Sequence, residues 1–96
     1  MTTSLERITR DYDSALAAAD LCLFNLTLVQ ESEFRPVREC AFRVAVRQYM
    51  AVRRFARELQ SWAKSIGIEP DQDVLMAADE LQKNLRQVRT EFRGTT

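Results

Sequence analysis

The sequence predicts an all-α fold: three long antiparallel helices in an up-down-up bundle. Three observations carry it. Breakers are scarce, limited to Pro36, Gly67, Pro70 and Gly94, which argues against a turn-rich β fold and against a disordered linker. These breakers fall at two internal points and near the end of the chain, leaving three long uninterrupted stretches. Within each stretch, apolar residues recur at steps of three and four, the period of an amphipathic helix.

Helix 1 is predicted over about residues 4–30. Thr3 and Glu6 fit the capping box, in which each side chain satisfies an orphan backbone N–H of the other. Leu5, Ile8, Tyr12, Ala15, Ala19, Leu23 and Leu26 form its seam. At ~1.5 Å per residue the helix is about 40 Å long. Residues 32–36 form a short connection, because Pro36 disfavours a helical Arg35 yet suits the first turn of a new helix. Helix 2, about 36–66, has the seam Val37, Ala41, Val44, Val52, Phe55, Leu59, Trp62 and Ile66, interrupted by Gln48. Gly67 fits a left-handed C′ position, with Ile68 packing back on Trp62 or Ala63. Helix 3, about 70–93, opens at Pro70 with Asp71 and Asp73 in the first turn, where the helix dipole favours anions. Its seam, Val74, Ala78, Leu81, Leu85, Val88 and Phe92, is the cleanest of the three, and Lys83, Arg86, Arg89 and Arg93 fill its second half. Short connections make consecutive helices neighbours that run in opposite directions. Residues 1–96 therefore read as a single helical domain, with no internal repeat.

Composition excludes several function classes. There is no histidine, which removes the commonest general base and metal ligand and any Ser-His-Asp or Cys-His arrangement. The two cysteines, Cys22 and Cys40, follow no metal spacing. They read as free, partly buried thiols of a reducing, cytoplasmic setting. Met1–Thr3 leads into charged residues, unlike a signal peptide. No uninterrupted apolar run approaches the ~20 residues of a membrane span. The expectation is a protein without cofactor or metal and without a membrane partner.

Two apolar stripes lie off the seams, beside the turn between helices 1 and 2. Leu21, Phe24 and Leu28 form one; Phe42, Val46 and Tyr49 form the other, with Val29 and Met50 extending them. Helix 3 has a single narrow stripe and is expected to cover the two seams and little more. Six large side chains left in water, each worth roughly 1.5–3 kcal/mol when buried, predict a self-association interface. A homodimer would then join the helices of two chains into a larger bundle.

Charge is balanced overall, with 14 basic and 14 acidic residues, but sorted along the chain. Residues 1–34 carry net −4, residues 35–64 net +6 and residues 65–96 net −2. Arg43, Arg47 and Arg54 share one stripe of helix 2, with Arg57 near its edge. Arginine forks bind carboxylate and phosphate bidentately, so the stripe suits an acidic partner. Asp20 and Asp13 are level with Arg47 and Arg54 in the hairpin, but the helical wheel puts them on the opposite flank. Direct intrachain bridges are therefore not expected. Balanced charge and the lack of a reader motif weigh against nucleic acid.

In shape, helix 1 and the segment Ile66–Leu81 resemble the helical chorismate mutases, which are dimers of a three-helix chain. The resemblance implies that Arg7 or Arg10 supplies one cation and Arg38 or Arg43, with Glu39, a later pair. Residues 14–34 contain no Lys or Arg, so that family's remaining cations have no counterpart. The reading that follows is a small non-enzymatic interaction or regulatory protein that self-associates and binds another protein through its Arg-rich helix. The alternatives are a nucleic-acid-associated bundle, an inhibitor of a host protein from a phage or mobile element, and a small helical enzyme.

Overall fold

The computed structural model describes residues 3–70 and 72–94, with side chains for residues 6–70 and 72–92. Three helices follow in order: α1 (Thr3–Glu31), α2 (Arg35–Ile66) and α3 (Gln72–Gly94). Among the described residues there is no strand. The Thr3–Glu6 cap, Leu5, Asp71 and Arg93 fall outside the described residues and side chains. The molecule is a rod of 50 × 19 × 14 Å.

Local chemistry sets the element ends. Ser32 breaks α1, and its hydroxyl accepts the Phe34 N–H at 3.2 Å. Phe34 takes the extended N-cap conformation, and its carbonyl accepts the N–H groups of Val37 and Arg38. Pro36 occupies the first turn, where no N–H is needed. At the other end of α2, Gly67 adopts φ 74°, ψ 27°. Its N–H donates to the Lys64 carbonyl, and the Ile68 N–H donates to that of Ala63 at 3.0 Å. A left-handed glycine thus satisfies carbonyls that the helix end leaves over.

α1 and α2 touch along their whole length. Arg7, near the start of α1, meets Glu58 near the end of α2. Arg38, near the start of α2, donates from Nε to the Val29 carbonyl at 3.0 Å near the end of α1. Between these ends the contact is made by small residues. Ala15, Ala19 and Cys22 of α1 and Ala41, Ala45 and Ala56 of α2 are all buried, and the Cys22 thiol donates to the Ala45 carbonyl at 3.3 Å. Gln48, which interrupts the helix 2 seam, accepts from Asn25 Nδ2 at 3.3 Å across the same contact.

α3 closes one side of the α1–α2 pair along the seam read from sequence: Val74, Leu81, Leu85 and Val88 are buried. The core has two parts. One, nearer the α1–α2 turn, centres on Cys22, Leu26, Val29, Val52 and Leu81. The other centres on Ala15, Phe55, Leu59 and Val74, with Tyr12 set edge-on to Phe55 at 6.3 Å.

The seams need correction in two places. In α1 the buried line runs Ala15, Ala19, Cys22, Leu26, Val29, while Leu23 is exposed. In α2 it moves onto Ala45, Tyr49, Ala56 and Ala63, leaving Val37 and Ile66 exposed. Small residues let the backbones approach, so the line of contact follows Ala and Cys rather than the bulkiest side chains. Cys40, expected to be partly buried, is exposed.

Two outcomes follow. Gly67→Ala has open space for its methyl group but must hold a left-handed backbone, so urea denaturation should show a loss of about 1–2 kcal/mol. Burial pushes the Cys22 thiol up from 9.0 to about 11, against a smaller lowering by a backbone hydrogen bond from Tyr49. An aromatic disulfide reagent should therefore label Cys40 at once and Cys22 only as the chain unfolds. Because the folded thiol holds its proton longer than the unfolded one, this stabilisation is full below pH 9.0 and is lost as pH rises towards about 11. Measuring unfolding free energy across that range, in wild type and Cys22→Ala, checks it.

Candidate interaction surface

The six residues expected to form one patch are divided by the fold. Tyr49 belongs to the core at 8% exposure. Phe42 and Val46 are half-buried and pack against the same core. Phe42 lies flat on Phe92 of α3, with centroids 5.5 Å apart and planes 3° from parallel. The guanidinium of Arg38 sits over the Phe92 ring at 5.5 Å and that of Arg89 over Phe42 at 5.8 Å. These four side chains tie the end of α3 to the start of α2. Leu28 is half-buried against the core and Val29 is fully buried. By contrast, Leu21 and Phe24 remain open at 51% and 61% exposure.

The expectation that α3 cannot cover Phe42, Val46 and Tyr49 is therefore corrected. Phe92, at the far end of the α3 seam, reaches around to Phe42, and two arginines cover the ring pair. A helical wheel places residues by azimuth alone and gives no reach to an aromatic side chain or an arginine stem.

The two halves also lie on different sides of the α1–α2 pair. Leu23, Thr27 and Gln30 of α1 line a groove with Asn84 and Gln87 of α3, and Gln30 donates to Glu91 at 3.3 Å. At ~100° per residue, Leu21 and Leu28 lie about 140–160° round from Leu23, on the side turned away from α3. Phe42, Val46 and Tyr49 turn towards α3. The face opposite α3 is thus built from a different set of residues. Its floor is a shallow groove of about 300 Å³ lined by Ser14, Ala15, Ala18, Ala51 and Arg54, with Arg7, Asp11 and Glu58 at one end. Leu21, Phe24 and Leu28 follow further along α1, between the groove and the α1–α2 turn.

Among the described residues α1 carries the most exposed large apolar side chains: Leu16, Leu21, Leu23 and Phe24. The most apolar 18-residue window within Glu6–Glu31 has a mean hydropathy of 1.2, and 28% of that window is buried. It is the one helix, among the described residues, long and apolar enough by composition to cross a membrane. No apolar run in this stretch is unbroken, because Asp11, Asp13 and Asp20 punctuate residues otherwise rich in Ala and Leu. Leu16 and Leu23, absent from the expected patch, are also exposed on α1.

Arg43, Arg47, Arg54 and Arg57 are all exposed on α2. None of them forms an ion pair among the described residues, and neither do Asp13, Asp20 or Glu31 of α1. The intrachain pairs among the described residues are elsewhere: Arg7 with Asp11 and Glu58, Arg10 with Asp11, Arg35 with Glu39, and Lys83 with Glu80. Arg38, one cation of the chorismate-mutase-like set, is held at the Val29 carbonyl, while Arg7 sits with Glu58. About 22 residues of α1 separate these two points, roughly 33 Å at ~1.5 Å each, so the two cations do not converge within one chain. Among the described residues no three His, Cys, Asp or Glu side chains cluster closely enough to hold a metal ion.

The division of the patch has a measurable consequence. Phe42→Ala should lower the unfolding free energy of the chain by about 2–3 kcal/mol, through lost burial and the lost ring stack. Phe24→Ala, measured in dilute solution, should stay within about 0.5 kcal/mol. Thermal and urea denaturation followed by circular dichroism reads both. Comparison with known protein families, curated proteins and solved structures finds no match for this chain.

Proposed function

We propose that this chain is a non-enzymatic interaction module. Its three helices run up, down and up as one antiparallel domain, and the α1–α2 face turned away from α3 receives another macromolecule. The observation that carries this reading is the mismatch on α1, whose most apolar 18-residue window is only 28% buried. Exposed apolar surface grouped on one side of a small domain marks where proteins meet. The groove floor of Ala15, Ala18 and Ala51 supports it further, because small side chains admit a helix at close range. Arg54 of α2 lines the groove without an intrachain ion pair among the described residues and favours a partner that presents carboxylates. Such a module acts by occupancy, in a regulatory role.

Site-specific crosslinking in native cells tests the reading. A photo-reactive phenylalanine analogue at Phe24, exposed on α1, should give a discrete protein adduct. The same analogue at Met76, which is equally exposed but on α3, should give none. Equal adducts at both positions, or none at Phe24, overturn the reading.

A further inference from the structure

We propose that the occupant of this face is a second copy of the chain, related by a two-fold axis parallel to the rod, so that each α1 lies against the partner's α2. The inference rests on the reading that the face is an interface and supplies what fills it.

Charge complementarity selects this arrangement. At ~100° per residue, Asp13 and Asp20 lie about 160–180° round α1 from Cys22, which meets α2. Asp13 also borders the α2–α3 connection at Ile68, Glu69 and Pro70. On α2, Arg54 lines the groove and Arg47 is exposed about two turns away. None of the four has an ion pair among the described residues. Cys22 is level with Ala45 and Val29 with Arg38. By the same register Asp20 is level with Arg47, and Asp13 with Arg54. Within one chain the width of the hairpin keeps these pairs apart. A rotation of 180° about an axis along the rod preserves height and exchanges the α1 edge for the α2 edge. It therefore brings Asp20 beside the partner's Arg47 and Asp13 beside the partner's Arg54, twice over. The other possible two-fold, across the rod, would set α1 on α1 and α2 on α2, with acid facing acid and arginine facing arginine.

Area and composition agree with this occupant. The rod is 50 Å long, and a face two helices wide, at ~10 Å per helix, offers on the order of 800–1,000 Å² per copy. A specific dimer buries about 800 Å² per partner. The centre would be apolar, with Ala15, Ala18 and Ala51 on the floor and Leu21 and Phe24 further along α1. The charges would lie on the rim, the usual arrangement of a protein interface.

Sedimentation of the full chain tests the proposal. Wild type should run at twice its 11.1 kDa mass. Raising salt from low to high should raise the dissociation constant roughly ten-fold, as expected for several exposed rim pairs. Asp13→Arg with Asp20→Arg places like charges across the rim, as does Arg47→Asp with Arg54→Asp. Each double variant alone should be monomeric, and an equimolar mixture of the two should recover the dimer. All four positions are exposed, and circular dichroism verifies that helicity is kept; the salt series on wild type reads the same pairs without any substitution. A monomeric wild type, double variants that dimerise unaided, or a mixture that stays monomeric overturns the proposal. So does a monomer that sediments only with phosphatidylcholine–phosphatidylserine vesicles. If wild type is monomeric while Phe24 still crosslinks to a different protein, the face is an interface and only its occupant is wrong. If neither dimer nor crosslink is found, both readings fail.

Discussion

The close approach of α1 and α2 is the constraint on which the rest of this structure depends. It is lined by alanines and one cysteine, and the Cys22 thiol donates across it to the Ala45 carbonyl. A contact built from small residues brings two backbones together but consumes little side-chain volume. The bulky apolar residues of α1 are then displaced from the contact line to its flanks. Some meet α3; Leu21 and Phe24 stay more than half exposed. The same packing keeps the core narrow, in a molecule whose two short dimensions are 19 and 14 Å. Apolar surface outside and a slim core inside are two results of one choice of residues.

α3 completes only one side of that pair, and its ends are held in different ways. Val74 buries against Ala15, Phe55 and Leu59 at one end. At the other, Phe92 and Phe42 stack between Arg38 and Arg89. Arg38 also holds the Val29 carbonyl, satisfying one of the last acceptors of a helix that has no basic residue in its final turn. One arginine thereby joins all three helices at the turn end of the rod. The remaining arginines of α2 have no such duty, which is why their stripe is open to a partner.

Much of the fold was legible in the sequence. Three helices were expected, and Pro36 and Gly67 marked their limits through backbone chemistry that is local: a fixed φ and a missing donor in one case, a tolerated left-handed turn in the other. The α3 seam was legible because its apolar residues form one narrow, unambiguous stripe. α1 was harder to read, since between Ser14 and Gln30 only Asp20 is charged. A helix that is apolar nearly all round does not announce which face it buries, so Leu23 was expected inside and Cys22 and Val29 were not placed on the seam.

The candidate surface was legible only in part. That helix 1 carries more apolar residues than one bundle can use, and that its acids and the arginines of helix 2 are not matched within the hairpin, follow from spacing and charge alone. The sequence by itself therefore determined the helices, their breaks, the sorting of charge and the existence of a surplus. The tertiary structure decided where the surplus lies. It packed Phe42, Val46 and Tyr49 against the core beside α3 and left Leu21 and Phe24 exposed on α1. The physical reason is that periodicity is a property of one helix, whereas burial depends on which neighbour approaches, how closely its small residues let it come, and how far a ring or an arginine stem can reach across the gap.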